Sequence, residues 1–138
     1  MDIGPVELIV LTFPGERADP AVVESVAEVV SQGHVTLLDL VFLTRTTDGE
    51  IRASDVEQRF DGTGFAGLEV IPQALVSEED LDLVRDVLEP GNSAAVIVYE
   101  ETWARRVAAK VRNAGGEVAL HVQMPREVVE VAVAAGSD

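Results

Sequence analysis

The stretch EVALHVQM, which spans Glu117–Met124, decides between the two folds that this sequence allows. Its side chains alternate between an apolar set and a mostly polar set, Val118, Leu120, Val122, Met124 against Glu117, Ala119, His121, Gln123. Such alternation predicts a β-strand that buries one face and exposes the other. The central strands of a doubly wound parallel sheet are buried on both faces and would not carry these polar groups in phase. The stretch therefore favours an α+β fold.

The rest of the chain supplies the other elements of such a fold. Apolar runs that end at turn residues predict four more strands, at Val6–Phe13, Val35–Thr46, Ile51–Ala53 and Ser93–Tyr99. Capping residues before apolar residues at helical spacing predict helices after Asp19-Pro20, Ser77, Glu100-Glu101 and Pro125. The order is β-α-β, a hairpin with an inserted helix, β-α-β and a C-terminal helix, which is the plan of a ferredoxin-like sandwich. We expect one such domain over residues 1–138, with a hairpin and a glycine-bearing connection at about 47–76.

Charge and composition exclude several classes of partner. The chain has 25 acidic against 10 basic residues, a formal net charge of −15, which repels the phosphates of nucleic acids and of anionic lipids. It has no cysteine, so that disulfides and thiolate metal sites are excluded. No apolar run reaches the roughly 20 residues that a membrane-spanning helix needs, and no basic leader precedes the first strand. We therefore expect a cytoplasmic protein that binds neither nucleic acid nor membrane.

Three segments of the chain resemble a known family: GPVELIVLTFPG (4–15), VTLLDLVFLTRTTDGEIRA (35–53) and EEDLDLVRDVLEPGNSAAVIVYEETWARRVAAKVRNAGGEVALHVQ (78–123). Over nearly its whole length the chain is similar to an actinobacterial family of uncharacterised proteins. The resemblance implies a ferredoxin-like domain with an insertion after the hairpin, and no established activity. That family is similar to a wider bacterial group labelled "predicted membrane protein", whose insertion carries a long glycine zipper. The corresponding stretch here, DGTGFAGLEVIPQAL, is too short to enter a bilayer.

No group of residues has the spacing of an established catalytic or metal site. Gly62, Gly64 and Gly67 form a literal G-x-G-x-x-G, but a polar segment precedes them and Pro72 interrupts the segment after them, so they indicate a loop. His34 and His121 lie far apart in the sequence, without local ligand spacing. The carboxylates of Glu100 and Glu101 are explained by the start of a helix, where acids complement the helix dipole. We predict no catalytic residues, no metal, no cofactor and no enzymatic activity.

The first three long strands are apolar on both faces. In the first strand, Val6, Leu8 and Val10 form one face, and Glu7, Ile9, Leu11 and Phe13 form a second that is nearly as apolar. In the second, Leu38, Leu40 and Phe42 are assigned to the helices and Leu37, Asp39, Val41 and Leu43 to the opposite side. A contiguous apolar patch on an open face usually marks an interface. We expect a homodimer in which this sheet face packs against that of a second copy.

Asp39 interrupts the apolar run LLDLVFL of the second strand and needs a partner, because an unpaired buried carboxylate is costly. On the second face it has Glu7, Tyr99 and His121 as candidate companions from other strands. One interpretation is that Asp39 accepts hydrogen bonds from the backbone or from an arginine at the interface. The other is that these groups form the polar lining of a ligand pocket between subunits. Trp103, the only tryptophan, is interpreted as a core or interface anchor or as a ligand contact.

The leading functional hypothesis is therefore a self-associating, non-enzymatic domain that serves an unknown protein partner or a stress-related assembly. The alternative is a small-molecule sensor with a pocket on the sheet face near Asp39, Tyr99 and His121. A third class is an enzyme of the dimeric α+β barrel type, which would need a buried cavity with convergent polar groups. Nucleic-acid binding through the sheet comes last, because it requires exposed aromatic and basic residues.

Overall fold

The structure is a computed structural model that describes residues 3–54 and 75–136, and these residues contain four strands and four helices. In chain order the elements are β1 (Val6–Pro14), α1 (Pro20–Ser31), β2 (Thr36–Arg45), β3 (Ile51–Ser54), α2 (Glu78–Val87), β4 (Asn92–Glu100), α3 (Thr102–Asn113) and α4 (Arg126–Ala135). Contacts divide the chain into two compact units, Met1–Val107 and Ala108–Asp138. The predicted α+β class is confirmed. The G-x-G-x-x-G glycines lie outside the described residues.

The first unit contains a four-stranded sheet in the order β1-β4-β2-β3, with every neighbouring pair antiparallel. Strands β1 and β2 therefore run in the same direction on either side of β4, and α1 connects them. Local signals explain the connections. Asp19 caps α1 by accepting a hydrogen bond from the backbone N–H of Ala21 at 2.8 Å. Gly49, with φ of 90°, allows the tight turn between β2 and β3, because this backbone conformation favours glycine.

Both faces of the central strands are covered by helices of the same chain. On one face, Phe13, Leu37, Leu40, Phe42 and Ile97 pack beneath α1. On the other, the buried side chains of β2 and β4 meet those of α2 and the residue after it, in the set Val41, Leu43, Ala94, Val96, Leu81, Val84, Leu88. The sequence places Leu37 and Val41 on a face that lies open in one copy, and this is wrong. Both are buried in the single chain.

A β-bulge in β2 explains part of that error. Leu37 pairs with Tyr99 and Asp39 pairs with the adjacent Val98, so the register of β2 against β4 shifts between Leu37 and Asp39. A bulge changes the alternation of side chains along a strand. Leu37 therefore joins Leu40 in the cluster beneath α1, although strict alternation assigns the two side chains to opposite faces.

Helix α2 begins with the predicted capping box. The Ser77 hydroxyl accepts a hydrogen bond from the Asp80 backbone N–H at 3.1 Å, and the Asp80 carboxylate accepts one from the Ser77 N–H at 3.2 Å. Such reciprocal bonds satisfy two backbone donors at the start of a helix. They fix the point from which α2 crosses the sheet, so that Leu81 and Val84 reach the core.

In the second unit, the predicted last strand is absent. Among residues 108–136, Glu117–Met124 is assigned to no strand, and the described elements are the end of α3 and α4. The alternating side chains Val118, Leu120, Val122 and Met124 are between 51 and 77% exposed. The predicted strand is therefore not confirmed, and alternation by itself expresses only a preference for a half-buried pleat.

Candidate interaction surface

The outer side of β1 is the most apolar exposed surface of the first unit's sheet. β1 is one of the two edge strands of the sheet and pairs with β4 on its inner side. Val6, Leu8, Ile9 and Val10 are between 38 and 43% exposed, whereas β2 is buried from Leu37 to Leu43. We call the exposed part of β1, Val6–Val10, the β1 surface. An edge strand presents backbone donors and acceptors to the surroundings as well as side chains, so this surface has the chemistry of a pairing site.

An apolar cleft of about 330 Å³ lies between the sheet and α1, next to the β1 surface. Its walls come from β1, β4, α1 and the start of β2, and they are formed by Ile9, Leu11, Val22, Ser25, Val26, Val29, Val35, Leu37, Ile97 and Tyr99. The volume is at the lower end of the range in which small-molecule sites are found. Ser25 and Tyr99 bring the polar side-chain atoms of this wall.

Tyr99 and Glu7 meet at one end of the cleft. They are opposite each other in the β1–β4 register, and the Tyr99 hydroxyl donates a hydrogen bond to Oε2 of Glu7 at 3.4 Å. Burial raises the pKa of the Tyr99 hydroxyl, and the negative charge of Glu7 raises it further. The phenol therefore stays protonated at neutral pH and acts as a hydrogen-bond donor rather than as a base.

Asp39 lies on the opposite face of the sheet from Tyr99. It pairs with Val98, whose side chain alternates with that of Tyr99, and its carboxylate bonds to the segment that leads into α2. Oδ1 accepts a hydrogen bond from the backbone N–H of Leu40, and Oδ2 accepts one from that of Val76, both at 2.9 Å. Both carboxylate oxygens of the buried Asp39 thus accept hydrogen bonds from backbone N–H groups, one at the bulge and one at Val76.

Trp103 and His121 are the remaining residues predicted for the site. Trp103 lies in the first turn of α3, where its ring is about half exposed and its backbone N–H donates to the carbonyl oxygen of His34 at 3.1 Å. His121 is exposed within the stretch Glu117–Met124 of the second unit. Of the five residues predicted for the site, Glu7 and Tyr99 lie together, because they are opposite each other on β1 and β4 and share a side-chain hydrogen bond.

Glu100 is a buried carboxylate with several hydrogen bonds, and the sequence predicts it at the start of a helix. It is the last residue of β4 and only 5% exposed. It accepts hydrogen bonds from the backbone N–H of Gly4 at 2.8 Å, from the Thr102 hydroxyl at 3.0 Å and from Nε of Arg105 at 3.0 Å. Burial acts to raise the pKa of Glu100, but these three donors and the charge of Arg105 outweigh it and hold the pKa below its usual value.

The contacts of Glu100 tie the N-terminal residues to the start of α3. The backbone N–H of Glu101 donates to the carbonyl oxygen of Pro5 at 2.8 Å, beside the bond from Gly4. A Cβ atom at position 4 would lie 2.8 Å from the carbonyl oxygen of Glu101, so glycine is required there. The available sequence signal was an arginine five residues after a strand-terminal glutamate. These contacts stabilise the fold by connecting the N-terminal residues to α3, because all three groups that donate to the Glu100 carboxylate belong to the chain itself.

Two further properties bear on the kind of site this chain can offer. Within residues 3–54 and 75–136, no three histidine or acidic side chains are grouped so that they could hold a metal ion. In the same described ranges, every helix is too short or too polar to cross a membrane.

Comparison with known proteins identifies the family. The model of a family of unknown function, DUF6325, matches residues 2–136. No curated protein and no solved structure shows significant similarity to the chain. Since the match covers nearly the whole chain, the protein belongs to this family of unknown function.

Proposed function

We propose that this member of the family is a self-associating protein-interaction module without enzymatic activity, and that the β1 surface is part of its contact area. The observation that carries the proposal is the contrast within one sheet. The central strands are buried by the chain's own helices, whereas Val6, Leu8, Ile9 and Val10 remain about 40% exposed. Val6, Leu8 and Val10 form an exposed apolar row on one face of β1, with Ile9 on the other face, and exposed apolar rows of this kind mark interaction sites.

Energetics and charge both support association through β1. Covering a half-exposed aliphatic side chain gains about 1 kcal/mol, so several such side chains in each of two copies make a substantial contribution against the cost of association. The chain carries a net charge of −15, which opposes self-association. Within Val6–Pro14, however, Glu7 is the only charged residue, so β1 is a region where two copies meet with little repulsion.

We propose that the complete fold is ferredoxin-like. The arrangement β1-α1-β2, with β4 inserted antiparallel between the two parallel strands, is half of that fold. A further strand on the outer side of β1 would complete it, and β3 and α2 would then be inserted between β2 and β4. A protein partner or a stress-related assembly would bind the exposed surface of the module that self-association leaves uncovered. A cytoplasmic location, an actinobacterial source and kinship with the glycine-zipper group stay predictions from the sequence.

The oligomeric state in solution tests the proposal. We expect light scattering coupled to gel filtration to give twice the chain mass of 14.7 kDa at micromolar concentration. Leu8→Thr should shift the protein toward the single-chain mass, because it places a hydroxyl in the contact area. Leu83→Thr is the matched control, since Leu83 is 68% exposed on α2 rather than on β1, and the variant should keep the mass of the wild type. A wild-type protein of single-chain mass, even at high concentration, would contradict self-association.

A second candidate function is binding of an apolar small molecule in the cleft beneath α1. The observation that favours it is the volume of about 330 Å³ lined by aliphatic side chains, with the Tyr99 hydroxyl at one end. The bond from Tyr99 to the Glu7 carboxylate makes that end acidic, so an uncharged or cationic ligand fits and a fatty-acid carboxylate does not.

Thermal-shift screening tests this candidate. Uncharged hydrophobic probes should raise the Tm of the wild type, because a ligand that binds only the folded state stabilises it. Val26→Trp fills the cleft and should abolish the shift, whereas Val87→Trp, on the exposed side of α2, should preserve it. Equal shifts in all three proteins would show that the probes bind elsewhere.

A further inference from the structure

We propose that the outer face of α2 is a docking site for a basic amphipathic segment of a partner protein. This face consists of Glu79, Leu83, Asp86 and Val87, and we call it the α2 face. The inference rests on the proposed function in one respect, because it names the chemistry of the partner that the interaction module binds. It uses neither the β1 surface nor self-association, so that the two proposals can be tested separately.

An apolar pair lies on the side of α2 that is turned away from the sheet. The inner side of the helix is buried, with Leu81 at 7% and Val84 at 5% exposure. On the outer side, Leu83 and Val87 are 68 and 70% exposed. These two residues are four positions apart and are therefore neighbours on the helix surface. Single exposed apolar residues are common, but adjacent ones in an otherwise charged helix form the apolar centre of a contact.

Carboxylates flank this apolar pair. Glu79 lies one turn before Leu83, and Asp86 lies one turn after it. Both acids are exposed, as are the two apolar side chains between and beside them. An apolar centre with a charged rim is the usual anatomy of a protein contact surface. The α2 face therefore combines the two features that a protein partner recognises.

The helix is strongly acidic, and its single base is already engaged. Six of the twelve residues from Glu78 to Glu89 are acidic, and Arg85 is the only basic one. Arg85 forms ion pairs with Glu78 at 3.4 Å and with Asp82 at 2.8 Å. Within residues 3–54 and 75–136, the two carboxylates of the α2 face have no basic side chain at salt-bridge distance. Their charge is therefore available to a partner.

Charge complementarity identifies that partner as basic. A second copy of this chain carries a net charge of −15 and is repelled. Neither residues 55–74, with four acidic residues and one arginine, nor residues 108–138, with four acidic and three basic residues, are basic overall. Nucleic acids and anionic lipids are repelled by the same carboxylates. A segment with lysine or arginine beside a row of apolar residues matches both parts of the α2 face.

Helix α3 is the part of this chain whose charge also matches. Its twelve residues include four basic and no acidic ones. Contact of the α2 face with α3, in the same chain or in a second copy, is therefore the principal alternative to a different protein. The experiment below distinguishes both forms of it.

Both ends of α2 are fixed to the interior strand β2. Before the helix, the backbone N–H of Val76 donates to the buried carboxylate of Asp39 at 2.9 Å. At its end, Nη1 of Arg45 donates to the carbonyl oxygens of Arg85 at 3.3 Å and Leu88 at 2.9 Å. Two charged residues of one strand thus orient the helix. Because a rigid surface loses less conformational entropy when it binds, this arrangement suits a docking site.

Titration with a synthetic peptide tests the inference. The probe is the fluorescently labelled peptide LKKLLKLLKKLLKL, which places leucine on one side of a helix and lysine on the other. The reference is a peptide of the same composition whose leucines are distributed around the helix. Fluorescence anisotropy measures binding at about 0.15 M salt, at which distant surface charges are screened. We expect the probe to bind the wild-type protein at least about tenfold more tightly than the reference peptide.

Two substitutions that change the charge equally locate the contact. Val87→Lys places a positive charge within the α2 face and should weaken binding of the probe by at least about tenfold, because it repels the lysines of the peptide. Val107→Lys is the matched control, since Val107 is 53% exposed on α3, and it should stay within about twofold of the wild type. Leu83→Ser removes apolar surface without a change of charge and should weaken binding by about fivefold.

The stability and mass of the same variants detect the other occupants. Because Val87 is exposed, Val87→Lys should leave the Tm within about 2 °C of the wild type. A loss of more than about 5 °C would show that the chain's own residues cover the α2 face. A lower mass than the wild type in light scattering would show that a second copy occupies it. Either result overturns the inference.

The remaining outcomes separate this inference from the proposed self-association. Equal affinity for the two peptides, or equal weakening by the two lysine variants, would show a general attraction of basic peptides to an acidic protein and would overturn the docking site. Absence of binding overturns it as well. A wild-type dimer with any of these results keeps self-association in place. A monomeric wild type that binds the probe at the α2 face contradicts self-association and retains the docking site.

Discussion

Strands β4 and β1 have similarly apolar sequences but very different surroundings. SAAVIVY in β4 is almost completely buried, with Val96 at 0% and Val98 at 4% exposure, whereas in VELIVLTF of β1 the facing Val10 and Leu8 are about 40% exposed. The two strands are paired with each other along their whole length. They differ in position, because β4 has a strand on each side and a helix over each face. The burial of an apolar strand therefore depends on its position in the sheet as well as on its sequence.

The largest expected difference between the two regions comes from the same substitution at two sites. Leu40→Ala should lower the free energy of unfolding by about 3–5 kcal/mol, because it leaves a cavity where Leu40 is fully buried. Leu8→Ala, at the edge, should cost less than about 1 kcal/mol in a dilute sample. Urea denaturation of both variants measures the difference. Equal losses would contradict the contrast between centre and edge.

The dependence of stability on protein concentration provides a second comparison of Leu8→Ala with Leu40→Ala. Folding coupled to association depends on concentration, so the loss from Leu8→Ala should grow as the protein is concentrated if β1 is a contact surface. The loss from Leu40→Ala should stay the same, because its contacts lie within one chain. A constant Leu8→Ala effect over a wide range of concentration would count against the proposed surface.

The buried carboxylate of the central strand should have the next largest effect. Asp39→Ala removes the acceptor of two backbone N–H groups, those of Leu40 and Val76, and should cost about 2–3 kcal/mol. Asp82→Ala is the matched control, because Asp82 is exposed on α2 and makes a surface ion pair with Arg85 worth less than about 1 kcal/mol. Thermal unfolding compares the two. A loss no greater than that of Asp82→Ala would contradict the structural role of Asp39.

Glu100→Gln should have a smaller, pH-dependent effect. The pKa of Glu100 is lower in the folded chain than its ordinary value of 4.5, so the ionised carboxylate stabilises the fold above that value. This contribution is lost as the pH falls through the lower, folded pKa. At neutral pH the variant should be less stable than the wild type by about 1–2 kcal/mol, and the difference should vanish in acid. Glu24→Gln, exposed on α1, is the matched control and should leave the free energy of unfolding at neutral pH within about 0.5 kcal/mol of the wild type.

The smallest effect is expected at Ser93, a buried residue of β4. Within the described residues its hydroxyl has no hydrogen-bond partner, so Ser93→Ala should change the free energy of unfolding by less than about 0.5 kcal/mol or increase it. Thr102→Val is the contrasting variant. The Thr102 hydroxyl contacts both Glu100 and Thr36, so its removal should cost about 1 kcal/mol. Equilibrium denaturation measures both variants. A larger loss of stability for Ser93→Ala than for Thr102→Val would contradict these hydrogen-bond assignments.

Local signals in the sequence predicted most of the fold. The four strands that form the sheet and all four helices were expected, because caps such as Asp19 and Ser77 and turns such as Asp48-Gly49 act within a few residues. The stretch Glu117–Met124 has the local pattern of a strand and is not one in the single chain. Pairing depends on residues that are distant in sequence, and periodicity carries no information about whether a neighbour is present.

The candidate site was predicted less well, for related reasons. Strand alternation placed Glu7 and Tyr99 on one face, and they do form a hydrogen bond. The same alternation placed Asp39 beside them, whereas the bulge and the bond to Val76 put it on the other face. Glu100 was assigned to a helix turn because its partner Gly4 lies 96 positions away in the chain. Partners at such separations cannot be inferred from spacing.

The two anchors on β2 have a consequence for the path of the chain. Ser54 pairs with Phe42, and Val76 is held by Asp39, so these two residues meet β2 at points three residues apart on one strand. The acid in the middle of an apolar strand is thus the attachment point for a residue that belongs to no strand, two positions before α2 begins.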